Sequence, residues 1–432
     1  MRGVLAAWPR WLVAGVFLIL AGLGINNALL YLGGREMDWI IFHASATAIG
    51  QGGQLYSVPG QADYIYPPFF AFAIQPLAHL SVPISGAVWV IINTALMALT
   101  LHLLAHRLSR FVSTMPVGHA YAILVVVVFA AFADQISSIL RRGQTDIVVL
   151  LALVGALFAV RFGTFWTGAV MAVSAAIKYQ TALFLPLLLL RWQIAAAVGL
   201  VIGLAVLFAL PALTVGWDRN ADYVASAMGG LARLVGLSSG QAVVANVLPL
   251  DWERSVSLPS TFARLFGSID LVIIAVGSVT ALVGVIIALA YRRWRVPMFW
   301  TRRDLRDGDA LYLLMLIEIA VVIAVLLVLS PQTTNRHMFL AAVPMALCTT
   351  FALMLRQGPY FIAAVIAVPS FWAANSLPPS DWAEMRTAWR AVGGASWALI
   401  GLTLVTVAAG FEVLRHRGAF TGRSQHGTAP TP

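Results

Sequence analysis

The sequence predicts an all-α polytopic membrane protein, and two observations lead to that prediction. Of its 432 residues, 60% are hydrophobic and only 10% are charged, whereas soluble domains carry about 25% charged residues. Apolar runs of about 20 residues, the length that spans a bilayer as a helix, recur along the whole chain. The runs are solid rather than alternating, which argues against the short strands of an outer-membrane barrel.

Twelve apolar runs are candidate membrane spans. They cover residues 11–32, 84–105, 118–133, 145–160, 164–177, 180–190, 193–213, 269–290, 310–329, 337–355, 359–374 and 394–413. Residues 67–80 are also apolar, but they are few and lie among prolines, so we expect an interfacial or re-entrant helix there. Within 164–190, only Lys178 and Tyr179 separate two runs. We predict two short segments bent at this point, because one continuous helix would carry the basic block 291–306 to the outside.

The basic residues orient the chain in the cell membrane. With a cytoplasmic N-terminus, most of the 27 lysines and arginines fall in inside loops, as the positive-inside rule requires. This predicts one transmembrane domain over residues 1–414 and a disordered tail over 415–432, with both termini cytoplasmic. The outer, extracytoplasmic face then carries two long loops, 33–83 and 214–268, with short interfacial helices. We expect the active site on this face.

The net charge of +10 could indicate a nucleic-acid partner. In a membrane protein, basic residues more often face anionic lipid on the cytoplasmic side. We therefore expect the basic residues to contact the lipid bilayer, and we expect no nucleic-acid partner.

A carboxylate follows the first span, in the stretch GREMDWIIFHASATAIG. Residues 38–50 carry large apolar side chains at helical spacing, which predicts a short interfacial helix. Asp38 then has two interpretations. It is either the N-cap of that helix or a general base that accepts a proton from a sugar hydroxyl at the membrane surface. Glu36 lies two residues earlier, and spacing alone does not separate the two carboxylates.

Basic residues on the outside form a second group of candidates. In SSILRRGQTDIVVLL, Arg141 and Arg142 precede a helix that begins near Gln144, and a helix N-terminus beside two guanidinium groups suits an anion. The alternative is a capped helix with snorkelling arginines. Lys178 is the only lysine of the chain and lies near membrane depth, where a charge costs about 2.5–3.5 kcal/mol. It either snorkels, pairs for structure or binds an anion.

Three further outer stretches supply polar residues. SPQTTNRHMFL provides Arg336 and His337, and VSLPSTFARLF provides Arg264 on a short helix. In DYIYPPFF, paired prolines direct the chain back towards the membrane, and tyrosines such as Tyr66 suit the interface. Each of these signals has an ordinary structural interpretation as well as a functional one.

Several motifs are absent from the sequence. It contains no Walker A loop, GxGxxG, HExxH or CxxC pair, and its one cysteine, Cys348, lies in an apolar run. A nucleotide-sugar donor usually needs a soluble nucleotide-binding domain, for which this chain has no room. We therefore expect a donor already present on the outer face, such as a lipid-linked phosphate, with no metal and no cofactor.

Taken together, these stretches resemble glycosyltransferase family 87. The resemblance rests on MDWIIFHASATAIGQGGQLYS, YIYPPFFAFAIQPLAHL, RRGQTDIVVLLALVGAL and GAVMAVSAAIKYQTALFLPLLLL, followed by SLPSTFARLF and SPQTTNRHMF, in that order. It covers residues 15–375. Family members usually show Lys-Pro where this chain has Lys178–Tyr179, and Asp-Phe where it has Asp38–Trp39. These departures leave the identity of the substrate open.

The resemblance implies the GT-C membrane fold and an inverting transfer from a polyprenyl-phosphate-linked sugar to a glycolipid or polysaccharide acceptor. Mannose is the expected sugar, and arabinofuranose, which relatives use, is the alternative. By the family pattern Asp38 matches the catalytic base, and His337 matches a residue near the donor phosphate. From charge and placement we add Lys178, Arg141, Arg142 and Arg336 at the phosphate, and Glu36, Tyr66, Gln144 and Arg264 in the donor or acceptor pocket.

A secondary transporter is the strongest rival to a transferase, because it would explain intramembrane charges such as Lys178 and Glu318. Transporters typically carry repeated halves with a site at the midplane. This sequence shows no internal repeat, and its polar residues concentrate on one face. A flippase for lipid-linked sugars is a nearer rival, and a non-catalytic assembly scaffold is a distant one.

Overall fold

The computed structural model describes residues 2–56, 64–159, 163–234, 249–300, 308–331, 333–376 and 383–419. Within these ranges the chain is helical, with one isolated bridge between Ser255 and Thr334. Part of the predicted outer loop 214–268 and most of the predicted tail 415–432 lie outside them.

Nineteen α-helices follow one another in the described ranges. They are α1 (Arg2–Leu32), α2 (Asp38–Gly50), α3 (Pro68–Ala73), α4 (Gln75–Ala78), α5 (Val82–Ser109), α6 (Val117–Arg142), α7 (Asp146–Val154), α8 (Phe165–Ile177), α9 (Phe184–Leu190), α10 (Ile194–Ala209), α11 (Ala212–Val215), α12 (Trp217–Leu234), α13 (Leu258–Phe266), α14 (Ile269–Arg293), α15 (Gly308–Leu329), α16 (Ala342–Leu355), α17 (Pro359–Asn375), α18 (Ala383–Ala391) and α19 (Gly394–His416). A π-helical turn (Gly155–Ala159) extends α7, and 3-10 turns precede α9 (Tyr179–Leu183) and α16 (Asn335–Ala341).

Eight helical segments of the described chain are long and apolar enough to cross a membrane. They are Trp8–Leu32, Val82–Ser109, Val117–Arg142, Ile194–Val215, Ile269–Arg293, Gly308–Leu329, Asn335–Leu355 and Gly394–His416. Four further apolar helices are shorter: Asp146–Leu157, Phe165–Ile177, Tyr179–Leu190 and Pro359–Asn375. Each of the twelve predicted runs therefore corresponds to a helix, and the polytopic helical class is confirmed. A count of twelve complete crossings stays a prediction.

The chain bends at Lys178. This agrees with the prediction of two short segments over residues 164–190. The backbone of Lys178 is extended, with φ −126° and ψ 96°, between α8 and the following 3-10 turn. The amide of Lys178 donates to the carbonyl of Ser174 at 2.8 Å, and the hydroxyl of Thr181 donates to the carbonyl of Lys178 at 3.0 Å. These local bonds satisfy the backbone where the helix is interrupted.

A close helix crossing fixes the position of this bend. A Cβ added at Gly168 of α8 would lie 1.7 Å from the carbonyl oxygen of Ala196 in α10. One added at Gly199 of α10 would lie 2.0 Å from the carbonyl oxygen of Phe165. Small residues let membrane helices approach in this way, so α8 is held against α10 and Lys178 is held at its end.

The turn between α6 and α7 is built on Gly143, which has φ +69°. Its carbonyl accepts a hydrogen bond from the indole of Trp89 at 2.8 Å. The Trp89 ring stacks on Trp39 of α2 at 5.3 Å, and the hydroxyl of Tyr31 donates to the carbonyl of Arg141 at 3.1 Å. Helices α1, α2, α5 and α6 therefore meet at this one turn.

Residues 67–80 form two short helices, α3 and α4, as expected for an interfacial or re-entrant segment. Buried aromatic rings hold the preceding stretch of chain in place. Phe42 packs against Tyr64, Tyr66 and Phe70 with ring centroids 5.3–6.4 Å apart. The hydroxyl of Tyr56 donates to the carbonyl of Tyr66 at 3.1 Å. This cluster fixes the direction of the Tyr66 side chain.

A buried charge pair joins the end of α9 to α15. The guanidinium of Arg191 donates to both carboxylate oxygens of Glu318 at 2.5 and 2.7 Å. The hydroxyl of Tyr291 and the indole of Trp300 also donate to Glu318, at 2.6 and 2.8 Å. Both charged residues are 6% exposed, and bidentate geometry with extra donors is what makes such a pair tolerable in a buried site.

Substitution of Gly143 by Ala is expected to lower stability by about 1–3 kcal/mol, because an L-residue at positive φ is strained and the new Cβ would lie 3.0 Å from Trp39 and from the Tyr31 hydroxyl. Thermal unfolding in detergent measures the change. Gly277→Ala in α14 is the control, since nothing lies within 4 Å of its Cβ position. Equal unfolding midpoints for the two variants would show that the turn tolerates a side chain at position 143.

Substitution of Glu318 by Ala is expected to destabilise the protein by about 3–5 kcal/mol, because the Arg191 guanidinium would stay buried without its counter-charge. The double variant Arg191→Met, Glu318→Leu is expected to recover much of that loss. Unfolding midpoints of the purified variants report both effects. A double variant less stable than Glu318→Ala would show that the pair contributes through packing rather than charge balance.

Candidate functional site

Asp38 is the first residue of α2, and the N-cap position is occupied by Met37. The expectation that Asp38 caps this helix is therefore wrong by one residue, and α2 has no side-chain cap. The carboxylate instead faces the turn between α6 and α7. Its Oδ1 lies 3.6 Å from Nη1 of Arg142 and its Oδ2 lies 3.3 Å from Nη1 of Arg336. The Asp38 side chain is 28% exposed, so a hydroxyl from outside can reach it.

Gln144 connects Asp38 to the aromatic cluster. Its amide nitrogen donates to Oδ2 of Asp38, and its amide oxygen accepts from the hydroxyl of Tyr66 at 3.2 Å. These two partners fix the amide orientation, since a carboxylate only accepts and a phenol can donate. Burial raises the pKa of Tyr66, so its hydroxyl remains a donor. Gln144 thus holds the carboxylate in one position.

Asp146, two residues further on, is a second carboxylate that the sequence did not single out. It is the first residue of α7 and is completely buried. Nζ of Lys178 lies 2.5 Å from its Oδ1, Nε of Arg336 lies 3.9 Å from its Oδ2, and Nε2 of His337 lies 4.0 Å from its Oδ1. The available signal was an acidic residue in RRGQTDIVVLL, next to a strongly apolar run and near the arginines.

Arg336 and His337 enter the site from the 3-10 turn before α16. Arg336 lies between the two carboxylates, since its guanidinium is within 4 Å of both Asp38 and Asp146. The amide of Thr334 donates to Nδ1 of His337 at 3.1 Å. Nδ1 is therefore the acceptor, and Nε2 is the nitrogen that points towards Asp146.

A polar cavity of about 110 Å³ opens beside these groups. It is lined by Ile65, Tyr66, Ile177, Lys178, Tyr179, Gln180, Trp252, Thr334, Arg336 and His337. Two cations and an imidazole thus face one space, together with aromatic and aliphatic side chains. Such a wall is suited to an anionic group that carries an apolar substituent. Asp38 lies behind Arg336 and Gln144 at the edge of this arrangement.

Not every predicted site residue is brought together here. The side chains of Arg141 and Glu36 are exposed, and neither has an ion pair in the described parts of the chain. Arg264 lies elsewhere: its guanidinium donates to the carbonyls of Trp252 at 2.9 Å and Arg390 at 3.1 Å. It connects α13 to α18 and is separate from the Asp38 cluster.

The cluster combines a proton-accepting group with anion-binding groups. One partly exposed carboxylate can accept a proton, and three cationic side chains, Arg142, Lys178 and Arg336, can hold or stabilise an anion. Among the described residues, no group of three or more His, Cys, Asp or Glu side chains could hold a metal ion.

The comparison with protein families identifies a family of glycosyltransferases. The model of glycosyltransferase family 87 matches residues 64–306, more than half of the 432 residues. The matched region contains Tyr66, Gln144, Asp146 and Lys178, whereas Asp38 and the 3-10 turn with Arg336 lie outside it. No curated protein and no solved structure matches the chain. The family match, together with the eight helices of the described residues that are able to cross a membrane, shows that the chain is a membrane glycosyltransferase that belongs to family 87.

Proposed function

We propose that this glycosyltransferase takes a sugar from a polyprenyl-phosphate donor and transfers it to a hydroxyl of a glycolipid or polysaccharide on the extracytoplasmic face. The observation that carries the proposal is the pairing of one partly exposed carboxylate, Asp38, with a cavity walled by cations. Mannose is the sugar we expect, with arabinofuranose as the alternative. The bilayer supplies the lipid-linked donor.

The cavity supports a phosphate that bears a lipid. Lys178, Arg336 and His337 present N–H donors to it, while Ile65 and Ile177 form an apolar wall. Lys178 also stands at the break between two apolar helices, α8 and α9, near membrane depth. A polyprenyl phosphate combines the same two properties, an anionic head and an apolar chain that stays in the bilayer.

The proposed chemistry is a single inverting displacement. Asp38 takes the proton of the acceptor hydroxyl while that oxygen attacks the anomeric carbon. The bond from this carbon to the phosphate oxygen breaks, and polyprenyl phosphate leaves with both electrons of the bond. General-base assistance of this kind contributes about 10²–10⁴-fold. Phosphate is a good leaving group, so no second carboxylic acid is needed.

Lys178 and Arg336 act on the leaving group. As the bond breaks, negative charge grows on the phosphate, and fixed donors aimed at that position stabilise the transition state by a few kcal/mol each. Arg336 contacts Asp38 at 3.3 Å and also lines the cavity. An anion in the cavity therefore competes with Asp38 for this guanidinium, which leaves the carboxylate freer to accept a proton.

The distribution of basic loops supports an extracytoplasmic site. The guanidinium of Arg417, after α19, donates to the carbonyl of Phe111 in the α5–α6 loop at 2.9 Å. In the same loop, Thr114 donates to the carbonyl of Leu353 at 2.6 Å. The C-terminal ends of α5, α16 and α19 therefore lie together, and they carry arginines such as Arg107. The site lies at the other end of α6, so the positive-inside rule favours its placement outside.

Substitution of Asp38 by Asn is expected to lower kcat by about 10²–10⁴-fold with a smaller change in KM, because the amide cannot accept the proton. Purified protein in detergent is assayed with a panel of polyprenyl-phosphate sugars. Asp134→Asn, which removes an exposed carboxylate on α6, is the control.

Glu36→Gln is expected to lose far less activity than Asp38→Asn, because Glu36 is exposed. Undiminished transfer by Asp38→Asn would refute the assignment, and lipid translocation without a glycosidic product would favour the flippase.

Substitution of Arg336 by Met is expected to lower kcat/KM for the donor by about 10²-fold, because one preorganised donor to the leaving phosphate is lost. The same transfer assay measures it, with donor and acceptor varied separately. Arg219→Met is the matched control, since Arg219 is an exposed cation of α12. If the loss appeared only in KM for the acceptor, Arg336 would not act on the donor phosphate.

A further inference from the structure

The most deeply buried charge of the site is the carboxylate of Asp146, and the displacement by Asp38 does not use it. Its side chain has no exposed surface, whereas that of Lys178 keeps 9%. Asp146 does not line the polar cavity, while Lys178, Arg336 and His337 do. The carboxylate therefore lies directly behind a layer of cations and touches the cavity only through them.

In the described parts of the chain, the close counter-charge of Lys178 is Asp146, at 2.5 Å. The other charged or titratable groups that face this ammonium come from separate elements: Arg336 and His337 from the 3-10 turn, and Tyr66 and Tyr179 in the cavity wall. Arg336 is a like charge and opposes protonation of Lys178. A buried ammonium with no carboxylate beside it releases its proton readily.

We propose that Asp146 is a positioning residue for the donor phosphate, and that its carboxylate keeps Lys178 charged and fixed at the cavity wall. Lys178 makes the contact with the phosphate, and Asp146 acts only through it. This inference rests on the proposed function, because it assigns the cavity to the phosphate of the donor.

The remaining geometry agrees with a role in placing cations. Among the described residues, Oδ2 of Asp146 has no hydrogen-bond partner, and it lies 3.9 Å from Nε of Arg336. Burial lowers the pKa of Lys178 and Asp146 opposes that effect. Gly143 starts the turn that directs Asp146 inwards, and the α8–α10 crossing brings Lys178 to meet it. Two independent parts of the fold thus converge on this ion pair.

The test measures binding of farnesyl phosphate, a short isoprenyl monophosphate, to the purified full chain between about pH 7.5 and 9.5. This range lies above the ordinary titration of imidazoles and phosphate monoesters. The variants are Asp146→Asn, Lys178→Met and the double variant Asp146→Asn, Lys178→Met. Asp146→Glu is the conservative variant, and Asp134→Asn is the control for loss of a carboxylate elsewhere. Unfolding midpoints are recorded for each.

Asp146→Asn is expected to bind as weakly as Lys178→Met at the upper end of this pH range, about 10-fold or more below the unmodified protein. It is expected to regain affinity, relative to the unmodified protein, as the pH is lowered and Lys178 takes up its proton. Lys178→Met is expected to show no such recovery. The double variant is expected to bind no more weakly than Lys178→Met, because Asp146 has no effect once Lys178 is absent. Asp146→Glu is expected to retain part of the affinity.

Three results would overturn the inference. The first is Asp146→Asn with unchanged affinity at every pH, and the second is a pH-independent loss. The third is a folded double variant with losses equal to the sum of the single ones. Because binding is measured without turnover, these results are separate from those of the transfer assay. If no transfer from polyprenyl-phosphate sugars occurs yet farnesyl phosphate binds as expected, the proposed function fails and the anion site remains.

Discussion

The arrangement of two carboxylates around one arginine is the interaction on which the rest of the site depends. Arg336 lies within 4 Å of both Asp38 and Asp146, so one guanidinium offsets the mutual repulsion of two carboxylates. Lys178 and Arg142 complete the set, so three cationic side chains face two carboxylates. One net positive charge is left for a phosphodiester, which carries a single negative charge.

The fold supplies these groups from five separate places. Asp38 begins α2, Arg142 ends α6, Asp146 begins α7, Lys178 lies between α8 and α9, and Arg336 precedes α16. A membrane interior tolerates an interrupted helix only where the free backbone groups are satisfied by protein, and the bonds around Lys178 meet that condition. The breaks and ends of the helices are thus the positions that contribute the charged side chains of the site.

The sequence predicted much of the site and missed one part of it. The polar residues beside apolar runs were identified: Asp38, Lys178, Arg336 and His337. Asp146 was overlooked because an acidic residue in the first turn of a helix is a common feature. Three candidates, Arg141, Glu36 and Arg264, lie outside the cluster. Charge and spacing cannot show which of two neighbouring side chains faces inwards, as Arg141 and Arg142 demonstrate.

The sequence by itself determined the membrane class and the positions of the helices, because apolar length and the hydropathy of a span are local properties. It also predicted the bend at Lys178, since one continuous helix over 164–190 would carry the basic block 291–306 to the outside. Only the tertiary structure decided which polar residues meet. The ion pairs of Asp38 and Asp146 join residues up to 298 positions apart, and their geometry depends on the Gly143 turn and the Gly168–Gly199 crossing, which are products of packing.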